Sequence, residues 1–156
     1  MKIDYKKRYA LLAASIIAID RLTKYMVMYS LPHYKVNSFA TIDLVFNRGI
    51  SFGLFHSHNA FIFGAVNVVI ASVLAILLAH TYGRLVSKKL IVGEIFIFAG
   101  ALSNIIDRYV YGGVIDFIAL FYREWHFAVF NVADMFIFCG VVVMLFVEYR
   151  ESCKKK

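Results

Sequence analysis

The chain has 156 residues, 62% hydrophobic and 17% charged, with a mean hydropathy of +0.73 and a formal net charge of +7. A soluble domain is about 45–50% apolar, so a single water-soluble core is excluded. The basic residues sit at the chain ends and in one short connection between apolar runs, which is how a membrane protein places them and excludes a nucleic-acid binder.

A helix needs about 20 mostly apolar residues to cross the hydrocarbon core. The first such segment covers residues 9–29 and is interrupted by Asp20, Arg21 and Lys24. Its start has the basic lead and short apolar run of a secretory signal peptide. No small-residue cleavage site follows, so an uncleaved first helix is expected, ending before Pro32. In the next connection, Thr41-Ile42-Asp43-Leu44-Val45-Phe46 is rich in β-formers and runs into the turn-prone Asn47-Arg48-Gly49. The second span, residues 60–79, carries no charge. The third, residues 90–106, carries Glu94 near its start. The connection after it contains residues 117–126, whose aromatic content suits a segment lying half in lipid at the interface. The fourth span, residues 127–147, carries Asp134. The expected architecture is an α-helical integral membrane protein of four transmembrane helices, in one domain over residues 1–156.

Lys and Arg set the orientation. Lys2, Lys6, Lys7 and Arg8 precede the first span, Arg84, Lys88 and Lys89 join the second to the third, and Arg150, Lys154, Lys155 and Lys156 follow the fourth. The two longer connections hold only Lys35 with Arg48, and Arg108 with Arg123. Both termini and the middle connection are therefore expected in the cytoplasm.

That orientation gathers the polar residues at one depth. Asn104, Asp107 and Arg108 close the third helix at its outer end. Asn131 and Asp134 lie in the first turns of the fourth, with Asp134 roughly 10 Å below the outer boundary at 1.5 Å per residue. Asp116 enters from the second outer connection, and Asp20 and Lys24 occupy the outer half of the first helix. Ordinary roles exist for most of them. Asp20 and Lys24, at i and i+4, suit an intrahelical ion pair with Lys24 snorkelling outward. Asp107 and Arg108 suit a helix end, Glu94 and Arg21 an interfacial or snorkelling position, Asn47 a turn, Cys139 a small packing site and Gly100 close helix contact. The five histidines are scattered without metal-ligand spacing. Asp134 is different, because no basic residue lies within a helical turn of it, and an intramembrane carboxylate is a functional candidate. Two carboxylates in one partly dry pocket share a proton, so that one can take a proton from water while the other protonates a carbonyl oxygen. No G-x-S-x-G elbow offers a serine nucleophile instead.

Five blocks in order resemble those of the type II, or lipoprotein, signal peptidases. They are Asp20-Arg21-Leu22-Thr23-Lys24, the outer-loop run from Asn47 to Gly53, the run from Gly100 to Arg108, Val114-Ile115-Asp116-Phe117, and Phe130-Asn131-Val132-Ala133-Asp134. The resemblance implies a hydrolase of the bacterial inner membrane, an aspartic endopeptidase that removes the signal peptide from diacylglyceryl-modified prolipoproteins by cutting before the lipidated cysteine. It implies Asp116 and Asp134 as the catalytic pair, Asn131 orienting them, Asn104 helping to hold the substrate, and Asp20, Lys24, Asn47, Asp107 and Arg108 lining or supporting the pocket. It further implies a small extracytoplasmic β-platform, an outer amphipathic flap, no metal or other cofactor, contact with membrane lipids, a monomer, and inhibition by globomycin-type peptides. Arg21 departs from the family's common glutamine, Ser103 from a glycine and Ser51 from an alanine. The serines are small enough to keep the packing, whereas Arg21 must find water, a lipid phosphate or a carboxylate. The rival reading is a small ion- or proton-pathway protein, which would need polar residues through both halves of the membrane; a non-catalytic scaffold would leave Asp116 and Asp134 unexplained.

Overall fold

Long apolar runs with few helix breakers become helices, and the β-rich connections between them become a small sheet. The computed structural model describes residues 5–49 and 59–154. Met1, Lys2, Ile50 to Gly53 of the outer-loop block, with Ser51 among them, His56, His58, Lys155 and Lys156 lie outside the described residues. The order is α1 (Tyr5–Ser30), β1 (His33–Lys35), β2 (Ala40–Asn47), α2 (Ala60–Val86), α3 (Val92–Tyr111), β3 (Val114–Tyr122), β4 (Trp125–His126) and α4 (Val132–Cys153).

The helix ends have local causes. Pro32, which has no N–H to continue α1, offers its carbonyl to the Leu44 amide at 3.1 Å and turns the chain into the sheet. Asn59 caps α2 by accepting the Phe61 amide at 2.8 Å. α3 continues past its expected end at 106, because nothing breaks the helix before Gly112, which takes the left-handed conformation at φ 69°. α4 begins later than the expected 127, because the residues before it belong to the sheet. The Phe127 amide donates to Leu120 at 2.8 Å, and Phe130 exchanges bonds with Ile118.

The strands run antiparallel in the order β1-β2-β3-β4. Thr41 to Phe46 form the expected strand. The aromatic segment after Phe117 is a strand: Phe117 to Tyr122 belong to β3, which pairs with β2 and turns back through β4, as suits aromatic and β-branched residues. Tyr122, Trp125 and Phe127 remain exposed. A register shift between Ile42 and Val45 sets Val45 opposite Asp116 and Asn47 opposite Val114, which makes Asn47 the diagonal neighbour of Asp116. Ile115 and Phe117 pack on Val27 of α1, and Asp116 between them faces the other way.

The helices wear their apolar residues outside. Leu22, Val73, Ile76, Leu102, Phe138 and Leu145 are all exposed, while Asp20, Lys24, Glu94 and Asp107 are buried. Among the described residues, α2 and α4 are long and apolar enough to cross a membrane, and only 6% and 11% of their apolar windows are buried, so neither is the core helix of a soluble domain. This is a membrane protein, with these four charges turned inward and its hydrocarbon surface left for lipid. α3 and α4 approach most closely where side chains vanish. A Cβ on Gly140 would sit 2.6 Å from the Gly93 carbonyl oxygen, and one on Gly100 would sit 2.6 Å from that of Ala133. Cys139, expected in this packing, instead points outward. Glu94 does not snorkel either. It is buried 2.7 Å from Arg84, whose guanidinium also reaches the Leu90 carbonyl and Glu151 and so ties the end of α2 to α3 and α4.

Candidate active site

The site forms where α4 starts. Asn131 is the N-cap: its Oδ1 accepts the Asp134 amide at 2.9 Å, and Asp134 Oδ2 accepts the Asn131 amide at 3.2 Å. This reciprocal cap fixes both side chains by local sequence alone. It also places Asp134 in the first turn of α4. The Asn131 amide group then reaches across to β3, donating to Asp116 Oδ1 at 2.6 Å and to the Ile115 carbonyl at 3.2 Å. Asp116 Oδ2 accepts from Asn47 at 2.9 Å, and Asp134 Oδ1 accepts from Asn104 at 3.0 Å. Each carboxylate is thus held by two donors, and Asn131 serves both.

Asp116 and Asp134 line one cavity of about 120 Å³ with Asn47, Asn104, Arg108 and an apolar wall that includes Ile70, Ile105 and Ile137. That volume has room for several waters. Burial, and then the charge of Asp134, push the Asp116 carboxyl up to about 7, against the lowering effect of its bonds to Asn47 and Asn131 and of the Lys24 charge. A carboxyl that keeps its proton at neutral pH beside a second carboxylate can both give and take a proton.

A second layer of charge lies behind the pair. The three protons of Lys24 go to Asp20 Oδ2 at 2.7 Å, Asp107 Oδ2 at 2.8 Å and Asn104 Oδ1 at 2.8 Å. Asp20 accepts the Ala133 amide at 2.8 Å, which puts a negative charge on the N-terminus of α4, and also the Ser103 hydroxyl at 2.6 Å.

The sequence comparisons agree with this arrangement. The family model described as signal peptidase (SPase) II matches residues 12–150. The chain belongs to the signal peptidase II family. It is 35% identical over 145 residues to the lipoprotein signal peptidase of Rickettsia bellii (strain OSU 85-389), covering 84% of this chain and 72% of that protein. It is also 35% identical over 150 residues to the lipoprotein signal peptidase of Actinobacillus succinogenes (strain 130Z), covering 92% and 91%. A bacterial membrane enzyme solved in meso at 1.9 Å superposes with a TM-score of 0.69 at 26% identity, over 91% of this chain and 92% of that one. Another, solved at 2.3 Å, shares the fold with a TM-score of 0.76 at 24% identity, over 97% and 93%.

Within this family fold, every residue singled out from the sequence joins one connected cluster: Asp20, Lys24, Asn47, Asn104, Asp107, Arg108, Asp116, Asn131 and Asp134. Two expectations about them change. The Asp20–Lys24 pair forms, but Lys24 is 1% exposed and does not snorkel, because two carboxylates and an amide satisfy it inside. Arg108 stands in the last turn of α3, but neither it nor Asp107 merely closes the helix. Asp107 bridges Lys24 to the Ile115 amide, and Arg108 donates to the Gly49 carbonyl and lies over the Phe63 ring at 5.7 Å. Sequence reasoning missed the role of Ser103, expected only to keep the packing, which donates to Asp20. Arg21, expected to find water, a lipid phosphate or a carboxylate, finds a carboxylate: its Nη2 lies 2.6 Å from Asp107. The signal that could have found them is their spacing: each adjoins a residue of the cluster.

Arg108 holds the turn after β2 to α3 and α2. Arg108→Ala should lower stability by about 2 kcal/mol, from one charged hydrogen bond and one cation–π contact. Thermal unfolding in detergent measures the loss, and activity per folded molecule should fall less than stability. An inactive variant of unchanged stability would place Arg108 in the chemistry instead.

Proposed function

We propose that the protein is an aspartic endopeptidase of the bacterial inner membrane that removes the signal peptide from diacylglyceryl-modified prolipoproteins, cutting before the lipidated cysteine, with Asp116 and Asp134 as its catalytic pair. The observation that carries this reading is the placement of both carboxylates on one cavity, bridged by Asn131, with Asp116 retaining a proton up to about pH 7. Asp116 carries the shared proton and gives it to the scissile carbonyl oxygen. Asp134 takes a proton from the attacking water, and its proton then passes to the leaving amine. Asn47, Asn104 and Asn131 hold the pair in register, while Asp20, Lys24, Asp107 and Arg108 hold the frame.

All four helices span the membrane in this reading, as a single domain over residues 1–156, with both termini cytoplasmic and the sheet as an outer platform. Asp20 and Lys24 of α1, and Glu94, Asp107 and Arg108 of α3, are buried, which removes the objection that they interrupt the spans. The substrate's apolar stretch lies in lipid beside the helices. Globomycin-type peptides compete for the same cavity, and a monomer suffices because every residue of the site comes from one chain. A transport pathway finds less support. The buried centre of α3, Ile97 to Ala101, contains no polar side chain to link the outer cluster to the Arg84–Glu94 pair.

The test is incubation of the purified protein with a lipid-modified prolipoprotein peptide and mass analysis of the products. One cut, immediately before the modified cysteine, is expected. Cleavage elsewhere, or equal cleavage of the unlipidated peptide, would overturn the substrate assignment.

A further inference from the structure

Arg21 is the part of the cluster that the proposed chemistry leaves unused. Its Nη2 lies 2.6 Å from Asp107 Oδ1 and 3.5 Å from Asp20. Its Nε is buried without a hydrogen-bond partner among the described residues, so the guanidinium is placed for Asp107 at some cost to its own solvation. Asp107 is fully buried. Its Oδ2 takes both Lys24, at 2.8 Å, and the backbone amide of Ile115, at 3.2 Å. The final torsion of an aspartate is soft, so partners rather than intrinsic preference decide where its oxygens point. With Lys24 on one oxygen and Arg21 on the other, the carboxylate plane is fixed. Without Arg21 it is free to turn both oxygens toward Lys24 and release Ile115.

Ile115 precedes Asp116. Its N–H is held by Asp107 of α3 and its carbonyl by Asn131 of α4, so the backbone next to Asp116 is gripped from both sides. We propose that Arg21 is a positioning residue for the reaction: by donating to Asp107 Oδ1 it orients the carboxylate whose other oxygen anchors the Ile115 amide, and so fixes the backbone that carries Asp116. This inference rests on the assignment of Asp116 and Asp134 as the catalytic pair.

The variants are Arg21→Met, which removes every donor, and Arg21→Gln, which keeps a neutral one. With the lipidated peptide, Arg21→Met should lower kcat by roughly 10–100-fold, since small displacements of reacting groups have that effect, and leave KM within about twofold. Arg21→Gln should recover most of kcat. Hydrogen exchange should quicken at Ile115 and Asp116 in Arg21→Met while the Gly93–Gly140 contact stays protected. In an Asp107→Asn background, Arg21→Met should cause no further loss, because the two act in series. Wild-type kcat in Arg21→Met would overturn the inference. So would exchange quickened uniformly through α3 and α4, Arg21→Gln as slow as Arg21→Met, or a full additional loss on Asp107→Asn. Asp116→Asn is run beside them to separate the two readings. If it turns over at the wild-type rate, the catalytic pair falls; if it is inactive while Arg21→Met is not, only the role of Arg21 falls.

Discussion

Asp116→Asn and Asp134→Asn should each cut kcat by roughly 10²–10⁴-fold, the scale of a lost general acid or base. Both should leave the protein folded. Each substitution keeps the shape and removes one member of a proton-sharing pair, so water activation and carbonyl protonation cannot both be completed. The double variant should be about as inactive as either single one, because the residues work as a unit. Binding of a globomycin-type peptide should survive, since the cavity wall is mainly apolar. The wild-type rate should fall on the alkaline side as the shared proton leaves near pH 7, the value to which burial and Asp134 push Asp116. The same shift has a consequence for stability. Asp116 holds its proton more tightly folded than unfolded, so the native protein loses stability as pH rises from the ordinary carboxylate value of 3.8 through about 7. An asparagine carries no such cost. The thermal midpoint of Asp116→Asn, relative to wild type, should therefore climb between pH 5 and pH 8. A flat difference, or substantial turnover by either single variant at wild-type stability, would sink the aspartic mechanism.

Local rules carried much of this site into the sequence. Asn131 and Asp134, three apart, were legible as a pair on one face, and they do meet at the cavity, though as the cap of α4 rather than inside a span that starts at 127. Thr41 to Phe46 read as a strand and are one. Asp116 was harder to place, because its position depends on a strand register and on a shift between Ile42 and Val45 that no short motif encodes. The direction of charged side chains was least legible. Sequence gives the depth of Lys24, Arg21 and Glu94 along a helix, but not whether a neighbouring helix supplies a partner. Lys24 is expected to pair with Asp20 while snorkelling outward, Glu94 to sit at the interface, and Arg21 to find water, a lipid phosphate or a carboxylate. Lys24 and Glu94 are instead buried against charges more than nine residues away, and Arg21 is mostly covered against Asp107. Phe117 to Tyr122 were not legible as a strand for a different reason: their composition fits both an interface and a strand, and the partner strand lies far back in the chain.

The second large effect expected is on folding. Lys24→Met should cost about 3–5 kcal/mol, the scale for removing one partner of a buried ion pair. Asp20 and Asp107 are both wholly buried, and Lys24 lies between them with Arg21 as the other nearby cation. Two carboxylates facing one guanidinium leave an uncompensated negative charge in a low dielectric, while Asn104 Oδ1 loses its strongest donor. The variant should reach the membrane in low yield and unfold at a much lower temperature. The size of the loss comes from stranded charge rather than from the lost lysine as such, and that distinction is testable. Asp20→Asn removes one negative charge yet keeps an oxygen to accept the Ala133 amide at the start of α4. Lys24→Met combined with Asp20→Asn should therefore be more stable than Lys24→Met alone, although each change by itself destabilises. Thermal unfolding of the three variants in one detergent gives the coupling energy directly. If the double variant is only as stable as the sum of the two single losses allows, charge balance is not what holds this cluster, and the contribution of Lys24 must be assigned to packing of its stem.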